Sequence, residues 1–187
     1  MDARTRVDGS QAGRGVPSRG PARPAEWALR PAGADDVEVI AELRAVVMRP
    51  DLERLGRFDE HRVRQRLRDS FSPRHTSVLL SEGLFAGCVT LRPAEEAHLL
   101  EHFYLVPGVQ GRGLGSAVLR TLLDGTDRDG VPVRLNVLRG SAARRLYERH
   151  GFTVEAEDAV DVFMVRPPGA RAVRTVPVRS PSSTAPA

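Results

Sequence analysis

The chain has 187 residues, contains arginine but no lysine, and carries a formal net charge of +4. Its length suits one domain with a sizeable core. It has no run of about 18 apolar residues to span a membrane, and the polar N-terminus lacks the hydrophobic stretch of a secretory signal. The single cysteine, Cys88, excludes an intramolecular disulfide and fits a reducing cytoplasm; its place in an alternating strand-like run reads as a small buried hydrophobe.

The basic character belongs to the ends. Residues 1–24 and 167–187 each carry +3, which leaves −2 for the middle. Both ends are rich in Gly, Pro, Ser and Arg and are expected to be disordered tails around a domain at 25–166. Such tails could touch nucleic acid through phosphates, but a solvated extension is the simpler reading, so nucleic acid is not the expected partner.

In chain order, residues 27–30 read as a strand ending at Pro31. Residues 34–48 read as a helix, with Val37, Ile40, Ala41, Leu43 and Val47 at helical spacing and Pro50 as its stop; residues 49–58 then form an irregular link. A second helix covers 59–71, with Val63, Leu67 and Phe71 four apart. Strands at 76–80 and 84–91 flank Ser81-Glu82-Gly83 as a hairpin. A loop at 93–96 leads to a long strand at 97–106. A glycine-rich turn follows, then a helix at 114–123, a polar turn at 124–130 and a strand at 132–138. A helix at 141–150 and strands at 152–155 and 160–165 complete an α/β pattern.

The most informative stretch is Val109-Gln110-Gly111-Arg112-Gly113-Leu114-Gly115-Ser116. Strand, glycine turn and helix start in that order bring backbone N–H groups together at a helix N-terminus, where an anion is stabilised. A P-loop needs a lysine, and a dinucleotide fingerprint needs a glycine or alanine where Ser116 or Val118 stands; both readings fail. What remains is Gln-x-x-Gly-x-Gly, from Gln110 through Gly113 to Gly115. Downstream, Ser141 begins a segment in which Ala143, Leu146, Tyr147, Gly151 and Phe152 recur at fixed spacing.

These two segments resemble the acetyl-CoA loop and the Asn-x-Ala-x-x-Leu-Tyr-x-x-x-Gly-Phe segment of the GNAT N-acetyltransferases. Ser141 stands where the family usually has Asn; it keeps a hydroxyl and can still cap the helix. The element order also matches over about residues 25–166. The resemblance implies the GNAT acyl-CoA N-acyltransferase fold, a mixed and mostly antiparallel central sheet flanked by helices. It implies acetyl transfer from acetyl-CoA to a primary amine, on a small molecule or a protein, by direct attack in a ternary complex. Tyr104, Leu105 and Val106 are then expected to present backbone groups to pantetheine, with the Val106 N–H on the thioester carbonyl. Gln110, Gly111, Arg112, Gly113, Leu114, Gly115, Ser116 and Ser141 complete the cofactor site. Tyr147 is the expected acid for the thiolate. Family members are often dimers, and a homodimer is compatible with this sequence. Non-catalytic acyl-CoA binding is the main alternative.

The general base is less defined. His98-Leu99-Leu100-Glu101-His102 spells an inverted zinc-protease signature, but in a strand residues four apart lie about 13 Å from each other, too far for one metal. On a regular strand His98, Leu100, His102 and Tyr104 share one face, and Leu99, Glu101, Phe103 and Leu105 the other. His102 lies where some family members carry a base; Glu101 is the second choice, since a bulge could reverse its facing.

Overall fold

The computed structural model describes residues 26–169. The N-terminal tail and the C-terminal tail from residue 170 lie outside the described residues. Seven strands form one sheet: β1 (Trp27–Pro31), β2 (Thr76–Ser81), β3 (Leu84–Pro93), β4 (His98–Leu105), β5 (Val133–Leu138), β6 (Thr153–Glu157) and β7 (Asp161–Arg166). Their order is β1-β2-β3-β4-β5-β7-β6, and all pairings are antiparallel except β4 with β5. Four helices flank the sheet: α1 (Asp36–Arg54), α2 (Glu60–Ser70), α3 (Leu114–Asp129) and α4 (Ala143–Arg149). This is the α/β architecture expected from the sequence.

Each face of the sheet has its own core. On one face Val118, Leu119 and Leu123 of α3 and Tyr147 of α4 pack on Leu79, Val89, Leu100 and Val133. On the other, Ile40 and Ala41 of α1 and Leu67 of α2 cover Val78 and Cys88. Each fully buried Leu or Ile contributes roughly 1.5–3 kcal/mol. The alternation of strand side chains assigns every second residue to one of these cores.

Two helices run further than local sequence suggests. α1 continues through Pro50 to Arg54, so most of the expected link is helical. The missing Pro50 N–H costs a bond to the carbonyl of Val46, whose residue is 56% exposed and can be solvated there. The last turn closes through the Leu55 N–H on the Asp51 carbonyl at 3.1 Å and an Arg54–Asp51 ion pair at 3.0 Å. α3 continues through the expected polar turn to Asp129 and ends at left-handed Gly130. Its polar residues have tertiary roles. Buried Thr126 donates to the Leu123 carbonyl at 3.0 Å, and Asp127 accepts from the buried Arg166 of β7 at 2.5 and 2.8 Å. The Gly169 N–H also donates to Asp127, at 2.8 Å, so the chain stays attached to the domain beyond residue 166.

Two irregularities in β4 shape the rest of the molecule. It pairs with β5 only at His98↔Val133 and Leu99↔Arg134, and from Leu100 onward the two strands part. Its register against β3 also slips, from Thr90↔Glu101 to Cys88↔Tyr104. Val89 therefore faces two residues, His102 and Phe103, which is a β-bulge. His102 sits at φ +49° to make it.

Candidate active site

Where β4 and β5 part, a cleft of about 1490 Å³ opens, walled by α1, α2, β4, β5, α4 and the loop before α3. Ordinary small-molecule sites span roughly 300–1,000 Å³, so the cleft has room for an elongated ligand and a second one.

One end is built from backbone. Pro107–Val109 makes a single 3₁₀ turn after β4. Gly111 and Gly113 then adopt φ of +72° and +86°, a conformation costly for side-chain-bearing residues, and α3 starts at once. Its first intrahelical bond is from the Ala117 N–H to the Gly113 carbonyl at 3.0 Å. The N–H groups of Leu114, Gly115 and Ser116 therefore precede the helical ladder and point outward with the positive end of the dipole. Gly115 packs on β4: an added Cβ would lie 3.3 Å from Leu105 Cδ1. Gln110 is tied to the strand, its Nε2 donating to the Leu105 carbonyl at 2.7 Å. Its side-chain amide fixes the loop instead of being free for a ligand. Arg112 is exposed.

The Val106 N–H does not fill its expected role. It donates to the Ala86 carbonyl at 2.9 Å, because Ala86 and Val106 continue the β3–β4 ladder. Ladder groups alternate in direction, so the neighbouring Leu105 backbone points toward the gap left by β5, where Gln110 already meets its carbonyl.

Tyr147 lines the cleft from α4 and is buried, its ring edge-on to Phe152 with centroids 5.7 Å apart. Burial raises its phenol above the usual value near 10, so it stays protonated at neutral pH. Ser141 also lines the cleft. Its Oγ accepts the Ala143 N–H at 3.4 Å, a long contact that makes only a weak cap.

The opposite wall is built from side chains that the bulge gathers. Leu100, Phe103 and Leu105 belong to the α3–α4 core, while Tyr104 packs toward α1 and α2. The expected facing therefore fails at His102. Glu101 lies opposite Thr90 on the same face as the Tyr104–Cys88 pair, and Glu101, His102 and Tyr104 all reach the cleft. The Glu101 carboxylate is held by Arg92 at 3.1 Å. Ser70 Oγ donates to the Arg66 carbonyl at 2.6 Å and lies 3.1 Å from His102 Nε2. It must then accept from Nε2–H, which leaves His102 Nδ1 as acceptor for the Tyr104 hydroxyl at 3.3 Å. Burial, aided by the charge of Arg44, pushes His102 down to about 4, so its imidazole is neutral at pH 7. Burial pushes the Tyr104 phenol up to about 12. The two histidines of the His-x-x-Glu-His segment lie on a strand, whereas the zinc motif requires a helix.

Arg44 and Ser70 are the participants that motif reasoning does not find. Arg44 follows Ile40 and precedes Met48 at steps of four, so it interrupts the apolar stripe of α1; that interruption is the one sequence signal for it. Its Nε is buried without a hydrogen-bond partner among the described residues, a state that costs about 1–3 kcal/mol or more for a charged group.

The family model described as "Acetyltransferase (GNAT) domain" matches residues 72–154. A GCN5-like protein acetyltransferase of Mycobacterium tuberculosis is 45% identical over 56 residues, which are 29% of this chain and 27% of that protein. The matched part thus spans about a quarter of that relative. Among solved structures, the PaiA N-acetyltransferase of Thermoplasma acidophilum in complex with coenzyme A superposes with a TM-score of 0.63 at 19% identity, covering 76% of this chain and 99% of that one. The ribosomal-protein-S18-alanine N-acetyltransferase of Escherichia coli gives 0.58 at 19% identity, covering 81% and 99%. Residues 72–154 thus match the GNAT acetyltransferase domain model, and the fold is that of solved N-acetyltransferases.

Proposed function

We propose that the protein transfers an acetyl group from acetyl-CoA to a primary amine by direct attack in a ternary complex. The observation that carries this reading is the parting of β4 and β5 between the open N-terminus of α3 and the phenol of Tyr147. The residues fit the cosubstrate. Gly111 and Gly113 have open space around the position of a Cβ, and three leading N–H groups of α3 suit a pyrophosphate. When bound, acetyl-CoA supplies an acyl group activated as a thioester.

The chain's own groups then divide the work. Gly111 to Ser116 hold the diphosphate through backbone N–H groups. The gap-facing edge of β4 at Leu105 offers the N–H that polarises the acyl carbonyl, in place of Val106. Tyr147 O–H donates a proton to the departing sulfur, and its raised pKa keeps that proton available. The acceptor attacks as the free amine, and the proton on its nitrogen, acidified once the C–N bond forms, passes to Tyr104 as Tyr104 gives its own to His102 Nδ1. Glu101 is the second candidate for that step, since the bulge brings its carboxylate to the same wall.

Calorimetric titration with acetyl-CoA, followed by free-CoA release across a panel of amines, tests the reading. Binding with amine-dependent release supports it. No binding at millimolar acetyl-CoA overturns it, and binding without release from any amine makes the protein a non-catalytic acyl-CoA module. The reading includes a cytoplasmic location, supported by the lone buried thiol of Cys88, and is compatible with a homodimer. No helix among the described residues is long and apolar enough to cross a membrane.

A further inference from the structure

Most arginines on the two helices of the acceptor wall have carboxylate partners. Arg64 pairs with Glu42 at 2.7 Å, Arg68 with Glu38 at 2.8 Å, Arg54 with Asp51 at 3.0 Å and Arg49 with Glu53 at 3.6 Å. Arg44 differs. It lines the cleft beside His102 and Tyr104, its Nε is buried, and it makes no hydrogen bond or ion pair among the described residues. Arg62 and Arg66, one turn apart on α2, line the same wall and form no ion pair among those residues.

The carboxylates around this cleft are engaged elsewhere. Asp51 holds Arg54, and Glu101 holds Arg92. Asp59 caps α2 by accepting the Arg62 N–H at 2.7 Å. Asp158 accepts the N–H groups of Val160 and Asp161, both at 2.7 Å, and Asp161 accepts from Asn136 at 2.9 Å. One partly buried guanidinium with an unspent donor is therefore left on the wall that faces the acceptor.

We propose that the acceptor amine also carries a carboxylate, which Arg44 binds, so that the preferred substrates are amino acids or similar zwitterionic amines. This rests on the acetyl-transfer reading. A guanidinium keeps its charge at every working pH and presents a planar fork of donors that matches a carboxylate. A bound carboxylate would give the buried Nε its missing partner. Arg62 and Arg66 add positive potential at the entrance, which draws in the same ligands.

The test compares matched sets: an α-amino acid, its carboxamide and its decarboxylated amine, for several side-chain classes, with an amidated peptide as a protein-like acceptor. Free CoA is read as product. The acids are expected to exceed their carboxamides by about tenfold or more in kcat/KM, the worth of one charge-assisted bond. R44L should collapse that ratio toward one, and R44K should keep part of it. Equal turnover of acids and carboxamides by the unmodified protein overturns the inference without need of any variant. So does turnover confined to the peptide, or a ratio unchanged in R44L; these outcomes leave acetyl transfer standing. No CoA release with any amine, while calorimetry shows acetyl-CoA bound, overturns the transferase reading and this inference with it.

Discussion

The two ends of the cleft are made of different material. The loop end offers backbone: N–H groups at the start of α3 and glycines whose φ values no ordinary residue adopts cheaply. The bulge end offers side chains, Arg44 from α1 and Glu101, His102 and Tyr104 from β4, with Ser70 of α2 bonded to His102. Backbone recognition suits a ligand that never changes. Side-chain recognition can be altered one residue at a time, which suits an acceptor that differs from one related protein to the next. A substitution at the loop end should therefore act through conformation and affect cosubstrate affinity. One at the bulge end should act through chemistry and affect turnover.

The strongest way to break this division is at Tyr147, which lines the cleft from α4. Tyr147→Phe should lower kcat by about 10²-fold or more, the usual worth of a positioned acid, with calorimetric acetyl-CoA affinity little changed. A loss confined to affinity would reassign Tyr147 to the cosubstrate half. Next is His102→Gln, which keeps a polar side chain in the bulge. Steady-state kinetics should show kcat reduced by about 10²-fold; an unchanged kcat would pass the base role to Glu101.

The loop end should respond in the opposite currency. Gly113→Val forces a β-branched residue to φ +86°, a strain of roughly 1–2 kcal/mol. Acetyl-CoA affinity should fall by about tenfold, with kcat at saturation falling far less. A larger loss in kcat than in affinity would mean that the loop positions the acyl group as well as the phosphates.

The last effect is on stability and is read by melting instead of turnover. His102 is lowered from 6.5 to about 4 by burial. Between those values the unfolded chain binds more protons than the folded one, so stability falls as pH drops from about 6.5 to 4. Thermal melting from pH 7 to 4 should be less pH-dependent in His102→Gln. Asp36 is lowered to about 2 by its hydrogen bond to Arg30, so its contribution is complete above about pH 4 and lost between 4 and 2. That loss should be the same in both proteins.

How much of this was legible in the sequence follows the same division. Gln110 to Ser116 and Ser141 to Phe152 are local signals, because each binding group is adjacent in the chain to the residue that shapes it. The bulge was legible only as a possibility. A slip in register depends on how Val89 meets its partners across the sheet, and no spacing within β4 encodes it. α3 outran its expected end because Asp127 answers to Arg166, 39 residues away.

The sequence alone determined the element order, the glycine turn and the phenol opposite it, because helix starts, turns and apolar periods are set by neighbours a few residues apart. Tertiary structure decided which amides remain free and which side chains meet. Pairing with Ala86 consumed the Val106 N–H. The bulge set Glu101 on the cleft wall with Tyr104, and the packing of α1 against β4 left Arg44 in the cleft without a partner among the described residues. Those outcomes arise from contacts between distant segments, and they distinguish this wall of the cleft from the fold that carries it.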